Sequence, residues 1–359
     1  MNNYLINITK SFNIVGNIID IAPYGNGHIN KTYRVVTSED EYILQQINSY
    51  AFKDVNSLMN NIDIVTRFIR KKGGDSLEIV PTKEGHLYLY DGDKYFRIYE
   101  FVKHSVCHET VGKDLSLASK LGAAFGKFHH LLAELDASLL KDTIPNFHNT
   151  PKRYLNFYEA YNLASEEKKE IAKKEIAFIL GQKETYSQVT EGIKKGEVKL
   201  HITHNDPKIN NILFDEKTGE VLCVIDLDTV MSGSVLYDIG DSFRSLFTGS
   251  NEDNRDTSLL KVNIQVFKTY IKSYLQEMKG DLTKREIELI PYSIYLLTIE
   301  CGMRFLEDYL RGNVYFHVAY DDHNLIRSRT QIALAKDVLQ NLEKLSQIVK
   351  EIVEELNHE

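Results

Sequence analysis

The stretch His204-Asn205-Asp206-Pro207-Lys208-Ile209-Asn210-Asn211 decides how the rest of this sequence is interpreted. It places a histidine, an aspartate, a lysine and an asparagine at offsets 0, +2, +4 and +7. Two apolar runs around the turn Asp215-Glu216-Lys217-Thr218-Gly219 follow it, a pattern that predicts a β-hairpin. Directly after the hairpin the chain reads Ile225-Asp226-Leu227-Asp228, so a polar loop and two further carboxylates flank one short pair of strands.

These residue types in this order are suited to phosphoryl transfer. That reaction spreads negative charge over the migrating group, so its catalysis is mainly positioning and charge neutralisation. Asp206 can orient an acceptor hydroxyl and take its proton, and Lys208 can meet the transferred phosphoryl group. Asn211 and Asp226 offer the hard oxygen ligands that Mg²⁺ prefers. The alternative without chemistry is a polar loop with a capping aspartate and a turn asparagine.

The organisation of the chain around this segment indicates two lobes. The first hundred residues show mainly strand patterns with one amphipathic helix, and long amphipathic helices dominate after Val102. We therefore expect an α+β fold with a small β-rich N-lobe over residues 1–102, ending in a hinge. A large, mainly helical C-lobe over residues 103–359 would carry the 204–211 loop, the metal site and the acceptor pocket.

Composition excludes several classes of function. The net charge of −8 is spread along the 359 residues, which argues against a nucleic-acid partner. The three cysteines are far apart in sequence and form neither a metal-ligand spacing nor a disulfide framework. This usage is typical of proteins from a reducing compartment. Neither a secretion signal nor an uncharged apolar run of about 18 residues is evident. We expect a cytoplasmic protein, a monomer rather than an oligomer, without a membrane partner.

The catalytic residues resemble those of a known superfamily. Their order is similar to the catalytic and metal-binding loops of protein kinases, and His-x-Asp-x₄-Asn with a later aspartate resembles the aminoglycoside phosphotransferase and choline kinase superfamily. The resemblance implies a protein-kinase-like two-lobed fold with ATP and Mg²⁺ as cofactors. It also implies that Asp238 braces the loop that begins at His204, and an aspartate there is also an ordinary helix N-cap.

Several residues of the N-lobe are candidates for nucleotide binding. Gly25 and Gly27 lie between two predicted strands, where backbone N–H groups can approach phosphates, and His28 and Asn30 would point into the cleft. The backbone of Glu100 and Val102, at the end of a strand, would bind adenine as the hinge of a kinase does. Each of these signals is weak alone and gains weight beside the 204–211 loop.

One part of the kinase pattern is missing. Kinases place a lysine on the third strand, paired with a helix glutamate, to hold the α- and β-phosphates, whereas this strand reads Tyr42-Ile43-Leu44-Gln45-Gln46. Gln45 is the equivalent residue, and the following helix offers Asp63 or Asn60. An amide donates hydrogen bonds but supplies no charge. Either the metal and Lys208 compensate, or the protein binds nucleotide without turning it over.

Longer blocks resemble the N-acetylhexosamine 1-kinases; they cover residues 24–30, 42–46, 203–206, 225–229 and 300–305. This resemblance implies phosphorylation of the anomeric hydroxyl of N-acetylglucosamine or N-acetylgalactosamine to the α-1-phosphate, in sugar salvage. It also implies that Arg304 and Tyr315 contact the sugar.

Alternatives for these positions remain open. Glu300, Arg304 and Asp308 could form an ion-pair ladder on one helix face, and Tyr315 and Phe316 could be core residues. Asp228 is a metal or substrate ligand or a supporting residue; Phe243 and Arg244 are further candidates for the pocket lining.

Two other functions stay open at this point. The fold could serve a different small alcohol, such as choline, homoserine or an aminoglycoside. Alternatively, the glutamine at position 45 could mark a nucleotide-binding protein that is not an enzyme.

Overall fold

The structure, a computed structural model, describes residues 3–25, 29–247 and 252–358. Its strands, in chain order, are β1 Ile18–Pro23, β2 Lys31–Thr37, β3 Glu41–Ile47, β4 Ile79–Val80, β5 Leu89–Tyr90, β6 Tyr95–Glu100, β7 Ser105–Val106, β8 His201–Thr203, β9 Ile212–Asp215, β10 Val221–Val224 and β11 Met231–Gly233. Its α-helices are α1 Asn3–Lys10, α2 Val55–Lys71, α3 Leu115–Leu132, α4 Thr150–Leu163, α5 Glu166–Ile171, α6 Lys173–Gly181, α7 Gln188–Lys194, α8 Val235–Phe247, α9 Ile264–Met278, α10 Lys284–Arg311, α11 His323–Gln340 and α12 Leu342–His358. The predicted α+β class, with a β-rich beginning and a mainly helical remainder, is confirmed.

The chain forms two compact units. The first, which we call the β-rich unit, comprises residues 1–107, 134–145 and 212–232; the second, the helical unit, comprises residues 108–133, 146–211 and 233–359. The prediction had a single boundary at residue 102, whereas each unit combines several segments of the chain. One reason is that β7 pairs with β9, which places the β9–β10 hairpin in the β-rich unit.

The β-rich unit is built on one antiparallel sheet in the order β1-β2-β3-β6-β4, with β5 beside β6. Alternate residues of its central strands face a core in which Val35, Leu44, Phe96 and Ile98 are fully buried. In the register of β3 and β6, Gln45 lies opposite Arg97. The sheet therefore places a charged residue of β6 next to the position where kinases carry a lysine.

In the helical unit, glycines let helices approach closely. A Cβ atom at Gly122 of α3 would lie 2.4 Å from the carbonyl oxygen of Tyr270 in α9, and one at Gly126 would lie 2.6 Å from that of Tyr274. Only glycine fits such a contact, because side chains cannot overlap a backbone oxygen. The glycine pair thus sets the distance between α3 and α9, and α3 carries residues that support the 204–211 loop.

Helix α10 is long and apolar because it is the centre of the helical unit. By length and composition it is the one helix in the described ranges that could cross a membrane, with a mean hydropathy of 1.2 over 18 residues. However, 89% of that window is buried within the protein. The apolar composition of α10 is therefore accounted for by its packing against neighbouring helices.

Replacement of Gly122 by alanine is expected to destabilise the protein by about 1–3 kcal/mol, because α3 must move away from the Tyr270 carbonyl. This penalty exceeds the gain in helix propensity, which is at most about 1 kcal/mol. Urea unfolding followed by circular dichroism measures the change. The control is Gly181→Ala at the end of α6, where a Cβ would have no neighbour within 4 Å. Equal midpoints for Gly122→Ala and the wild type would contradict the packing argument.

Candidate active site

The 204–211 loop is held by one buried carboxylate. It follows β8, and Asn205 adopts a left-handed backbone conformation with φ of 65°. Asp238 of α8, only 1% exposed, accepts the backbone N–H groups of His204 and Asn205, each at 2.7 Å. Two charge-assisted hydrogen bonds offset the cost of the unusual backbone. The geometry places Asp238 in the bracing position that the kinase resemblance implied, within the first turn of α8.

A neutral histidine orients that carboxylate. His129 of α3 is buried, with Nε2 2.8 Å from Asp238 and Nδ1 2.8 Å from the hydroxyl of Tyr274. Burial lowers the pKa of His129 although Asp238 opposes the shift, so the ring is neutral near pH 7. Burial also raises the pKa of Tyr274, so its hydroxyl stays protonated and donates to Nδ1. His129 therefore donates Nε2–H to Asp238.

The first residue of the loop is packed rather than exposed. The ring of His204 is fully buried against Phe125 and Phe128 of α3, with centroid distances of 5.5 and 6.0 Å. Its Nδ1 atom accepts the backbone N–H of Asp206 at 3.2 Å. His204 therefore acts on the backbone that carries Asp206.

The predicted catalytic residues of the helical unit lie together. Lys208 Nζ is 2.6 Å from one carboxylate oxygen of Asp206, and Asn211 Nδ2 is 3.3 Å from the other. Asn211 also donates to the backbone carbonyl of Asp206 at 2.8 Å. The Asp206 side chain remains 29% exposed, so this carboxylate is fixed in direction yet accessible to a substrate.

The charge of Lys208 is maintained by its surroundings. Burial would lower the pKa of the ammonium group, but the carboxylates of Asp206 and Asp241 raise it above its ordinary value. Arg244 of α8 pairs with Asp241 at 2.7 Å and with Glu252 at 3.6 Å. Its neighbour Phe243 is fully buried against Phe267 and Tyr270, so the expectation that Phe243 lines a pocket is wrong.

A second brace, which the sequence did not predict, joins the loop to α10. His148 Nδ1 lies 3.0 Å from Glu300, and its Nε2 lies 3.4 Å from the backbone carbonyl of Asn205. Thr150 donates to the other oxygen of Glu300 at 2.5 Å. Burial would lower the pKa of His148, but Glu300 raises it overall; burial likewise opposes the lowering of the Glu300 pKa by His148. The imidazolium then donates to both Glu300 and the loop.

The alternative of an ion-pair ladder formed by Glu300, Arg304 and Asp308 on α10 is wrong, because both acids have other partners. Glu300 pairs with His148, and Asp308 accepts the backbone N–H groups of residues 314–316 at 2.8–2.9 Å. Arg304 forms no ion pair with either acid in the described ranges; its guanidinium lies over the ring of Phe316 at 5.5 Å. Tyr315 is 74% exposed, so the alternative of a core residue is wrong for it.

In the β-rich unit, Asp226 and Asp228 differ in their surroundings. Asp226 is exposed and has a left-handed backbone with φ of 59° and ψ of 53°. Asp228 is buried and forms an ion pair with Arg97 at 2.5 Å, and its second oxygen accepts from Asn30 at 2.6 Å. Its carboxylate is thus used by the protein on both sides. These contacts favour a supporting role for Asp228 over direct binding of the metal or the substrate.

Gln45 has a partner that the sequence did not indicate. Its carbonyl oxygen accepts from Arg97 Nε at 2.9 Å, and its amide donates to Thr32 at 3.0 Å. Neither Asp63 nor Asn60 fills the role of the helix glutamate, because Asp63 pairs with Arg67 at 2.7 Å and Asn60 is exposed. The sequence contained one signal for this partner, because Arg97 is a charged residue inside the otherwise apolar and aromatic strand Tyr95-Phe96-Arg97-Ile98-Tyr99.

The predicted nucleotide residues are placed in part. Gly25 has a positive φ of 74° after β1, whereas Gly27 and His28 lie outside the described residues. The backbone amide of Glu100 donates to the carbonyl of Glu78, so adenine binding through the Glu100 carbonyl stays a prediction. The amide of Val102 has no hydrogen-bond partner in the part of the chain that the structure describes, so it remains the predicted donor.

The donor chemistry of the two predicted metal ligands fits Mg²⁺. Asn211 uses its amide nitrogen for Asp206, which directs its oxygen elsewhere, and Asp226 presents an exposed carboxylate on a constrained backbone. Both are hard oxygen donors, and Mg²⁺ binds proteins through few such ligands while keeping several waters.

The His148–Glu300 pair predicts a pH dependence of stability. The pKa of His148 is raised in the fold, so its contribution is complete below about pH 6.5 and is lost as pH rises through the higher folded value. The lowered pKa of Glu300 removes the contribution below about pH 4.5. The difference in unfolding free energy between wild type and His148→Gln should therefore shrink from pH 6 to pH 9.

Urea unfolding at each pH measures this difference, with the exposed His358→Gln as the control. A difference that stays constant from pH 6 to pH 9 would show that His148 is not charged in the fold.

Comparisons with known proteins agree with this architecture. The model of the phosphotransferase enzyme family, APH, matches residues 20–261. An ethanolamine kinase from Plasmodium vivax is 16% identical with a TM-score of 0.58, covering 91% of this chain and 84% of that chain. A choline kinase from Cryptosporidium parvum is 14% identical with a TM-score of 0.57, covering 98% of both chains.

A spectinomycin phosphotransferase, in complex with ADP and spectinomycin, is 15% identical with a TM-score of 0.57 and 98% coverage of both chains. Likenesses at such identities show the fold, here the protein-kinase-like arrangement of a small β-sheet region and a larger helical region. The family match extends over most of the chain and includes the 204–211 loop, Asp226 and Asp238. The chain therefore belongs to the phosphotransferase enzyme family (APH).

Proposed function

We propose that this phosphotransferase is an ATP- and Mg²⁺-dependent N-acetylhexosamine 1-kinase. The observation that carries the proposal is the 204–211 loop. Its accessible Asp206 carboxylate is held by Lys208 and Asn211 on a backbone braced by Asp238. The hexosamine specificity of the proposal rests on the blocks at residues 24–30, 42–46, 203–206, 225–229 and 300–305, which resemble those of the N-acetylhexosamine 1-kinases. The acceptor is the anomeric hydroxyl of N-acetylglucosamine or N-acetylgalactosamine, and the product is the α-1-phosphate.

In this reaction the anomeric oxygen forms a bond to the γ-phosphorus of ATP, and the bond from that phosphorus to the β,γ-bridging oxygen breaks. The proton of the hydroxyl passes to Asp206, and ADP leaves. An anomeric hydroxyl is more acidic than other sugar hydroxyls, so a carboxylate can serve as its base. Lys208 contacts the transferred phosphoryl group. Asn211 and Asp226 would hold Mg²⁺, which supplies neutralisation of the phosphate charge.

The charge near Arg304 favours a neutral acceptor over a cationic one. Arg304 stacks on Phe316 without a carboxylate partner among the described residues. Burial lowers the pKa of Arg153, and the nearby positive charge of Arg304 lowers it further, while Glu300 and Glu307 oppose the shift. These two carboxylates already pair with His148 and Arg311, so two guanidinium groups share this region with acids that have other partners. Choline, ethanolamine and aminoglycosides carry positive charge and would need an acidic or aromatic cage. A sugar with an N-acetyl group instead offers hydrogen-bond acceptors to the arginines.

An acceptor screen tests the substrate class. ADP release should require Mg²⁺ and a hexosamine with a free anomeric hydroxyl, so methyl α-glycosides should be inert, as should choline, ethanolamine and spectinomycin. Turnover of a methyl glycoside at the rate of the free sugar would refute the assigned position. Turnover of a cationic alcohol alone would transfer the function to another acceptor of the same family.

Asp206→Asn should lower kcat about 10²- to 10⁴-fold, because the general base is lost while the shape is kept. The matched control is Asp136→Asn, an exposed aspartate whose capping bond to the Ser138 amide, at 2.9 Å, asparagine can replace. Equal rates for Asp206→Asn and the wild type would remove the assignment of the base.

Arg304→Met should raise KM for the hexosamine roughly 10- to 100-fold, the equivalent of one charged hydrogen bond. KM for ATP should stay unchanged. Arg311→Met is the control, since Arg311 lies on the same helix and pairs with Glu307 and Glu159 at the surface. A parallel rise of both KM values in Arg304→Met would indicate a general structural effect.

A further inference from the structure

The β-rich unit contains one fully buried guanidinium group, which the reaction chemistry described so far does not use. Arg97 of β6 is 1% exposed. Its contacts are an ion pair with Asp228 at 2.5 Å, a hydrogen bond to Gln45 at 2.9 Å and a contact with the sulfur of Met59 at 3.8 Å. The ring of Tyr99 lies 5.1 Å from the guanidinium carbon. Burying a charge is costly, so a residue placed this way calls for a reason beyond packing.

The position of Arg97 in the sheet is informative. Arg97 of β6 lies opposite Gln45 of β3. Gln45 occupies the strand position where protein kinases carry their lysine. Gln45 is fixed by Thr32 on one side and by Arg97 on the other, so its amide orients the guanidinium. The positive charge that β3 lacks is therefore present on the neighbouring strand.

Arg97 acts on the segment that contains the predicted metal ligand. Asp228 is two residues after Asp226 and lies in a single 3₁₀ turn, residues Leu227–Thr229, that follows directly. Arg97 and Asn30 hold both oxygens of Asp228, and Asn30 is itself fixed by the amide of Asn48 at 2.9 Å. Asp226 keeps a left-handed backbone, which a residue other than glycine adopts only when its surroundings enforce it.

We propose that Arg97 is a positioning residue that anchors Asp228 and thereby holds Asp226 in the conformation that binds the divalent cation. The inference rests on the proposed use of Asp226 as a metal ligand and deepens it. Gln45 orients Arg97, Arg97 fixes Asp228, and Asp228 fixes the turn. In this arrangement a glutamine at position 45 is part of a working site rather than a sign of a lost one.

The test is direct binding of Mn²⁺ to the full chain in the presence of a non-hydrolysable ATP analogue, measured by electron paramagnetic resonance. Arg97→Met alone would leave a buried carboxylate unpaired and can unfold the unit, so the main variant is the pair Arg97→Met/Asp228→Asn, which removes both charges. Its control is Arg67→Met/Asp63→Asn, the same change at a pair on α2 in which Arg67 is exposed and Asp63 is partly exposed. Circular dichroism verifies folding, and analogue binding in EDTA verifies the nucleotide site.

We expect the buried double variant to weaken Mn²⁺ binding at least 10-fold while its analogue affinity in EDTA stays within about 3-fold of the wild type. Arg97→Lys keeps the charge but not the planar fork, so its Mn²⁺ affinity should lie between those of the wild type and the buried double variant. The surface control should match the wild type. Asp226→Asn should lose Mn²⁺ binding.

The outcomes separate this inference from the proposed function. A folded double variant with wild-type Mn²⁺ affinity, beside an Asp226→Asn variant that has lost it, refutes the role of Arg97 and leaves the metal assignment standing. A wild-type protein that binds no Mn²⁺ with the analogue refutes both. Loss of analogue binding in EDTA by the double variant shows a general effect on the unit and also overturns the specific role.

Discussion

The 204–211 loop, and with it the position of Asp206, depends most directly on the two hydrogen bonds that Asp238 accepts from the backbone of His204 and Asn205. They hold Asn205 in a left-handed conformation and so determine where the next residue, Asp206, presents its carboxylate. The position of Asp238 depends in turn on α8 and on His129 of α3. The close approach of α3 and α9 at Gly122 and Gly126 therefore bears on the chemistry, since α3 supplies both His129 and the rings that pack on His204.

Two buried ion pairs repeat one principle in different places. His148–Glu300 supports the backbone next to Asp206, and Arg97–Asp228 supports the turn after Asp226. A buried pair contributes little net stability, because desolvation offsets most of the attraction. Its value lies in direction, since each charged group accepts only a few geometries. In both cases the pair lies next to a residue proposed to take part in phosphoryl transfer, Asp206 or Asp226, and is not itself that residue.

The sequence predicted local features well and distant partners poorly. The α+β class and the β9–β10 hairpin followed from periodicity and turn residues, which act over a few positions, whereas the short helix α1 was not predicted. Residues that gather around Asp206 were also identifiable, because the chemistry requires them at short spacings. The partner of Gln45 is 52 positions away, and that of Glu300 is 152 positions away. Only the tertiary fold determines such pairs, so Arg97 and His148 were missed and Phe243 was misplaced.

The central claim is that Asp206 takes the proton of the anomeric hydroxyl of an N-acetylhexosamine while that oxygen attacks the γ-phosphorus of ATP. The proton-coupled phosphorus NMR spectrum of the product, made from ATP and N-acetylglucosamine, tests it most directly. The account predicts one sugar phosphate signal, split into a doublet by the single anomeric proton. A signal split by the two methylene protons at C6, as in a 6-phosphate, would contradict it. The absence of any sugar phosphate would also contradict it.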